Sequence, residues 1–213
     1  MEIYLVRHGE TESNTEKRYR GWTESPLTPK GVRQAEEVGF FLGGQKIDSL
    51  FCSDLKRAVK TARVIGAGSG LEPAVTPLLR EINFGDWEGF TYDELEMSFG
   101  DAIRLWFDDP FNRAAPGGET LTEVYMRMQK FLVQLMNEAA DGQRIAAVSH
   151  GGSIRALLFR VLNLSKNNFW DIKIDNASVS LIRKEGSQFK VVYYNRTDYL
   201  LEGINKEEPG NGY

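Results

Sequence analysis

The stretch Ile3-Tyr4-Leu5-Val6-Arg7-His8-Gly9-Glu10-Thr11 decides the class of fold. Its apolar run is too short for a helix and reads as a strand buried on both faces. The polar continuation, with its glycine, is a loop at the strand's carboxyl end. The same grammar returns at Ile145-Ala146-Ala147-Val148-Ser149-His150-Gly151-Gly152, and in shorter form at Ser49-Leu50-Phe51-Cys52-Ser53. Helical stretches lie between. Thr28 as N-cap and Pro29 at the first helical position start one that runs to about Leu42. A second runs from about Leu55 to Ile65 and stops in the glycine-rich stretch 66–70. Leu121, Val124, Met128, Phe131, Leu132 and Leu135 recur at helical spacing, and a further helix follows His150 from Ser153 to about Leu162. The pattern also predicts a third strand within 72–79, one helix over 92–107, and a closing pair of strands over 178–183 and 190–194.

Strands alternating with helices predict an α/β fold: a mainly parallel sheet flanked by helices in three layers. Residues 1–202 read as one domain, with a helical lid insertion at about 83–120, and 203–213 as a flexible polar tail. In such sheets ligands bind beyond the carboxyl ends of the strands. His8 and His150, the two histidines of the chain, both stand there.

Composition narrows the chemistry. The 213 residues carry 26 Lys+Arg against 30 Asp+Glu, a net charge of −4, which argues against nucleic-acid or anionic-membrane binding through overall charge. A single cysteine forbids an internal disulfide and any multi-cysteine zinc site. No apolar run is long enough to span a membrane and the first residues lack a signal-peptide pattern, so a cytoplasmic location is expected.

The candidate residues each have a bland alternative. His8 or His150 alone could be a hydrogen-bonded structural group. Arg7 beside His8, with Glu10, Thr11, Ser13 and Asn14 in the same loop, instead calls for an anionic partner, because an unpaired buried charge is expensive. His150 opens a Gly-Gly turn at a helix start, where backbone N–H groups receive anions. Arg57, a cation in the first turn of a helix, opposes the helix dipole and also asks for a partner, although Lys56 and Arg57 could be solvated surface charges. Glu81 sits among aromatics, and burial by Phe84 and Trp87 would raise its pKa toward the range of a general acid; its alternative is a salt bridge to Arg80.

Arg7-His8-Gly9-Glu10-Thr11 with Asn14, Leu27-Thr28-Pro29-Lys30-Gly31, Cys52-Ser53-Asp54-Leu55-Lys56-Arg57-Ala58, Leu79-Arg80-Glu81 and Val148-Ser149-His150-Gly151-Gly152 occur in one order over residues 3 to about 160. That ordered set resembles the histidine phosphatase superfamily, the phosphoglycerate mutase-like fold. The resemblance implies a phosphatase of the histidine acid/alkaline type, with no cofactor and no metal, acting on a small phosphorylated metabolite through a phosphohistidine. It implies His8 as nucleophile, Arg7, Arg57 and His150 as the clamp on the phosphoryl oxygens, and Asn14 and the Gly151 amide as further donors. Glu81 would protonate the leaving oxygen and then activate water. Arg20 and Gly21 would contact the phosphate or the rest of the substrate.

Rival chemistries fit less well. A cysteine phosphatase needs C-x₅-R, whereas Cys52 and Arg57 are separated by four residues, and no P-loop pattern is present. The metal-dependent route lacks clustered ligands. Within the family, a cofactor-dependent phosphoglycerate mutase carries Tyr three and Lys eleven residues past the acidic Glu, where this chain has Phe84 and Tyr92. The interval between Glu81 and His150 is also shorter than in mutases. Hydrolysis is therefore expected over transfer, and an inactive phosphate-binding module is the reading of another class. Phe84-Gly85-Asp86-Trp87-Glu88-Gly89, Trp106 to Pro110, and Pro116-Gly117-Gly118-Glu119-Thr120 resemble the α-ribazole phosphatase branch of cobalamin biosynthesis, which makes α-ribazole 5′-phosphate a candidate substrate.

Overall fold

The computed structural model describes residues 1–140 and 142–201, so the expected tail at 203–213 lies outside the described residues. In chain order the elements are β1 (Glu2–Arg7), α1 (Glu12–Thr15), α2 (Pro29–Gly43), β2 (Ser49–Ser53), α3 (Lys56–Ala67), β3 (Ala74–Thr76), α4 (Tyr92–Phe99), α5 (Asp101–Asp108), α6 (Leu121–Glu138), β4 (Arg144–Ser149), α7 (Gly151–Val161), β5 (Val179–Glu185) and β6 (Gln188–Arg196).

The strands form one six-stranded sheet in the order β3-β2-β4-β1-β5-β6. β3, β2, β4 and β1 run parallel, and the β5–β6 hairpin closes the β1 edge antiparallel. Alternation along the strands sends side chains to two cores. Ile3, Leu5, Ile145 and Ala147 pack under α6 and α7 on one face, and Tyr4, Val6, Ala146 and Val148 pack under α2 and α3 on the other. That is the expected three-layer arrangement. β1 leads to β2 past β4 on one side, while β4 leads to β5 on the other, so the crevice opens between β1 and β4. Their register pairs Arg7 with Ser149, which places His8 and His150 side by side one residue further on.

Two local expectations need correction and a third is narrowed. The helix expected over 92–107 is two helices, because Gly100 takes φ +52° and breaks the chain between α4 and α5. The third strand lies within 72–79 as expected, at Ala74–Thr76, and ends where Pro77 starts a 3-10 turn that Thr76 caps. Residues 12–15 form a helical turn where the reading had loop, closed by Thr11 and Asn14 as a capping box. The 83–120 segment is anchored in the main core by Trp87, Leu95, Ile103 and Trp106, all nearly or fully buried.

Candidate active site

His8 follows β1 and is buried, 5% exposed. Its main chain is tied on both sides: the amide donates to Ser149 O at 3.0 Å, and the carbonyl accepts from the Ala177 amide at 3.1 Å and from Asn176 Nδ2 at 3.3 Å. The ring Nδ1 is 2.7 Å from Gly9 O. A carbonyl oxygen only accepts, so Nδ1 carries the proton and Nε2 keeps its lone pair. Burial foremost, then the charges of Arg57 and Arg7, holds the His8 pKa well below its ordinary 6.5. The ring is neutral at neutral pH.

The loop that follows explains the Leu27-Thr28-Pro29-Lys30-Gly31 motif. Thr28 Oγ1 donates to Glu10 Oε1 at 2.9 Å, and Lys30 Nζ pairs with Glu10 Oε2 at 2.8 Å. Gly9 and Gly31 meet so closely that a Cβ on either would strike the other loop's backbone. The start of α2 is thus a seat for the His8 loop as well as a helix cap.

His150, the N-cap of α7, is fully buried, and its ring centroid lies 5.0 Å from that of His8 at 62°. Neither of its ring nitrogens has a hydrogen-bond partner among the described residues. Burial, then Arg57 and His8, holds its pKa well below 6.5 as well. A fully buried imidazole with two unused nitrogens facing a second imidazole is the arrangement of a ligand site.

Arg57 does not lie on the surface. It is 3% exposed, and its guanidinium donates to Gly21 O at 2.7 Å and Thr23 O at 3.2 Å. Arg7 Nη1 donates to Ile174 O at 2.6 Å, and the Gly151 Cα faces the Arg7 guanidinium with room for no larger residue without crowding. Both cations are therefore held by carbonyls, which orient them.

The Glu81 carboxylate caps α7. Oε2 accepts from the Gly152 amide at 3.0 Å, and Oε1 accepts from the Ser153 amide at 3.0 Å, the Ile82 amide at 2.9 Å and Ser153 Oγ at 3.3 Å. The expected alternative, a pair with Arg80, does not form: Arg80 makes a two-pronged bridge to Asp54, 2.8 and 2.6 Å, and stacks on Trp22. Trp87 belongs to an aromatic cluster with Phe99 and Trp106.

Asn14 Oδ1 accepts from the Thr11 amide, Thr11 Oγ1 and Asn176 Nδ2, so its acceptor is filled and its amide nitrogen remains to donate. Arg20 Nε donates to Ser13 Oγ at 2.8 Å in the same loop cluster, with its guanidinium beside Gly89. Gly21 acts through its backbone: its carbonyl holds Arg57, and a side chain there would strike Glu88 and the 82–84 main chain. Cys52 is buried in the α2/α3 core and its thiol is pushed up to about 11, mainly by burial, as suits an inert packing residue.

Several supporting residues were not read from the sequence. Arg127 on α6 donates to the carbonyls of Leu78, Arg80 and Glu81 and pairs with Glu119 at 3.1 Å, while Glu119 accepts from the Asn83 amide. Together they brace the 78–83 loop that carries Glu81. Glu88 accepts from the amides of Trp22, Thr23 and Phe84 and so fixes the loop that holds Arg57. Glu119 stood within a motif already singled out, Pro116 to Thr120. Arg127 carried no local signal, because it is one charge on an amphipathic helix. Among the described residues no cluster of three or more His, Cys, Asp or Glu suits a metal ion, and no helix is long and apolar enough to cross a membrane.

Known proteins resemble this chain in sequence and fold. Phosphoserine phosphatase 1 of Hydrogenobacter thermophilus is 31% identical over 202 residues, 95% of this chain and 95% of that protein. The adenosylcobalamin/alpha-ribazole phosphatase of Escherichia coli is 31% identical over 182 residues, 85% of this chain and 89% of that one. A protein of Escherichia fergusonii named probable phosphoglycerate mutase GpmB is 33% identical over 189 residues, covering 89% and 87%. The solved mycobacterial glucosyl-3-phosphoglycerate phosphatase, in complex with VO3, superposes with a TM-score of 0.85 at 28% identity, covering 92% of this chain and 99% of that one. The names of the relatives support a phosphatase. With the family model matching residues 3–197, the chain belongs to the histidine phosphatase superfamily, branch 1.

Proposed function

We propose that this protein hydrolyses small phosphomonoesters through a phosphohistidine on His8, without a metal or cofactor. The observation that carries the reading is the pairing of a neutral, tautomer-fixed His8 with the partnerless ring of His150, between two guanidiniums tethered by carbonyls. In the first step His8 Nε2 attacks phosphorus in line with the ester oxygen. Arg7, Arg57, His150, Asn14 Nδ2 and the Gly151 amide receive the three phosphoryl oxygens. Protonated Glu81 gives its proton to the departing alkoxide, so the alcohol leaves neutral and Glu81 becomes a carboxylate. In the second step that carboxylate takes a proton from water as the water oxygen attacks the phosphohistidine, which returns His8 and Glu81 to their starting states. Arg20 and Gly21 would contact the phosphate or the rest of the substrate.

Phosphate monoester hydrolysis needs accelerations up to ~10²¹. A covalent intermediate combined with several fixed donors suits such a barrier better than any single group. The test is to quench enzyme mixed with a phosphomonoester and detect an acid-labile, base-stable phosphoenzyme. Wild type should form it with EDTA present, and His8→Ala should not. Activity abolished by EDTA and restored by Mg²⁺ would sink the mechanism.

Hydrolysis is favoured over mutase transfer because Phe84 and Tyr92 stand where mutases carry a Tyr and a Lys, so the hydroxyl and the ammonium that would hold a phosphorylated three-carbon acid are missing. The relatives' names supply two first substrates, α-ribazole 5′-phosphate and phosphoserine.

A further inference from the structure

Gln34 is a buried polar side chain that the proposed chemistry leaves unused. It lies on α2 three residues after Gly31, on the same helix face, and is 2% exposed. A buried amide has a hydrogen-bonding task. Here Gln34 Oε1 accepts from the Glu10 amide at 2.8 Å. Gly31 makes the reach possible, because its missing side chain lets α2 lie directly on the Glu10 backbone.

The Glu10 N–H belongs to the same peptide group as the Gly9 carbonyl, which accepts from His8 Nδ1 at 2.7 Å. A peptide group is planar, with its N–H and C=O pointing in opposite directions, so holding one end aims the other. With the N–H turned to Gln34, the carbonyl faces His8 and only an Nδ1–H can meet it. The lone pair then stays on Nε2, the atom that attacks phosphorus. Half a turn of this peptide would put the Glu10 N–H against His8 Nδ1. That nitrogen would have to accept, the proton would move to Nε2, and the nucleophile would be lost. Gly9 carries no Cβ to oppose such a turn. The preceding peptide is already fixed. Its carbonyl, His8 O, accepts from Ala177 and Asn176. Its N–H donates at 3.2 Å to Thr61 Oγ1, a fully buried hydroxyl that itself donates to Arg57 O at 2.8 Å. The direction of the 9–10 peptide is what Gln34 decides.

We propose that Gln34 is a positioning residue for the nucleophile: through the Glu10 N–H and the Gly9 carbonyl it selects the His8 tautomer that carries its proton on Nδ1. It acts through the backbone and not on the substrate. Any share of the enzyme in the other tautomer is a share without a nucleophile, so the effect falls on phosphoryl transfer and not on phosphate binding. This assignment rests on the phosphatase reading above.

Nitrogen NMR on isotope-labelled histidine reads the tautomer directly, because the couplings to the carbon-bound ring protons differ for Nδ1 and Nε2. His8→Ala identifies the His8 signals against those of His150. At neutral pH wild type should carry the His8 proton on Nδ1. It should also show a coupling through the hydrogen bond, from the Glu10 amide nitrogen to the Gln34 side-chain carbonyl carbon. Gln34→Met is similar in volume and lacks that acceptor. It should shift His8 toward the Nε2–H form. It should also slow phosphoenzyme formation at saturating substrate by roughly tenfold to a hundredfold, the range of one buried donor left unpaired, without raising KM. Gln34→Glu offers a carboxyl oxygen at the same reach and no amide donor, so it should restore the tautomer and most of the rate. Should Gln34→Met not fold, Gln34→Asn, one methylene too short, takes its place with the same expectations. Wild type without the coupling, or with His8 protonated on Nε2, overturns the proposal without any variant. A folded Gln34→Met or Gln34→Asn protein that keeps the wild-type tautomer does so too, since a drop in Tm alone marks a structural role. So does a Gln34→Glu protein as impaired as either. Failure of wild type to form a phosphoenzyme from any ester overturns the phosphatase reading instead, and the NMR result still decides whether Gln34 sets the tautomer.

Discussion

At the scale of single residues, the two histidines were visible as a pair in the sequence, but their protonation was not. An ordinary imidazole is partly protonated just below neutrality, whereas both rings here are held neutral by burial and by the same arginines. Burial is a property of the folded chain, so no spacing reveals it. The consequence is a pH dependence of stability. Below about pH 6.5 the unfolded chain binds protons that the folded rings refuse, so acid favours unfolding. The contribution of each ring is intact above that value and is lost as pH falls below it toward the depressed folded pKa. In that window each costs ~1.4 kcal/mol per pH unit. Urea midpoints should therefore fall from pH 7 to pH 5, and His150→Gln should lower that slope by the share of one proton. A variant whose midpoints run parallel to wild type would show that His150 takes up its proton in the folded state.

At the scale of elements, the strands and most helices were legible because the apolar run and the 3.6-residue period are local. What escaped was set by backbone geometry at a few points. One helix over 92–107 was read straight through Gly100, which breaks it in two, and Pro77 ends the third strand at Thr76. The motif at 27–31 was read as a helix start, which it is; its fit against the His8 loop depends on two glycines facing each other across the fold. Gly31→Ala places a methyl against Glu10 backbone, and overpacking of that kind costs roughly 1–3 kcal/mol. Calorimetry should show the loss, and phosphoenzyme yield should fall with it because the His8 loop must move. The α6 brace is the companion case. Arg127→Met takes a donor from three carbonyls, of which those of Arg80 and Glu81 keep Ser153 Oγ and Trp22 Nε1, and leaves the mostly buried Glu119 without its cation, a cost on the order of 3 kcal/mol. Arg127→Lys retains the charge but not the fork. It should lower kcat more than it raises KM, since Glu81 is displaced while the phosphate clamp stands. An unchanged kcat in a folded Arg127→Lys protein would confine Arg127 to stability.

At the scale of the whole molecule, the net charge of −4 described the surface and not the crevice. Arg7 and Arg57 are held at the ends of β1 and the start of α3 by carbonyls, so the fold concentrates positive charge where the parallel strands end while its exterior stays acidic. Topology does this: the adjacency of β1 and β4 joins segments some 140 residues apart, and the α7 N-terminus adds its amides at the same point. Burial foremost, and Arg7 last, disfavour the charge on Arg57, while Glu81, Glu24 and Glu88 favour it; a dianion bound between the two arginines would add to the favourable side. Inorganic phosphate should therefore stabilise this acidic protein. At a hundred times its dissociation constant a ligand adds about 2.7 kcal/mol, which for a domain of this size raises Tm by about 5–10 °C. Arg57→Met provides the control, because a general salting effect of phosphate would act on both proteins alike. A large shift in wild type and a small one in the variant locates the anion in the crevice. Equal shifts would mean that phosphate acts on the whole surface and that the arginines do not form its site.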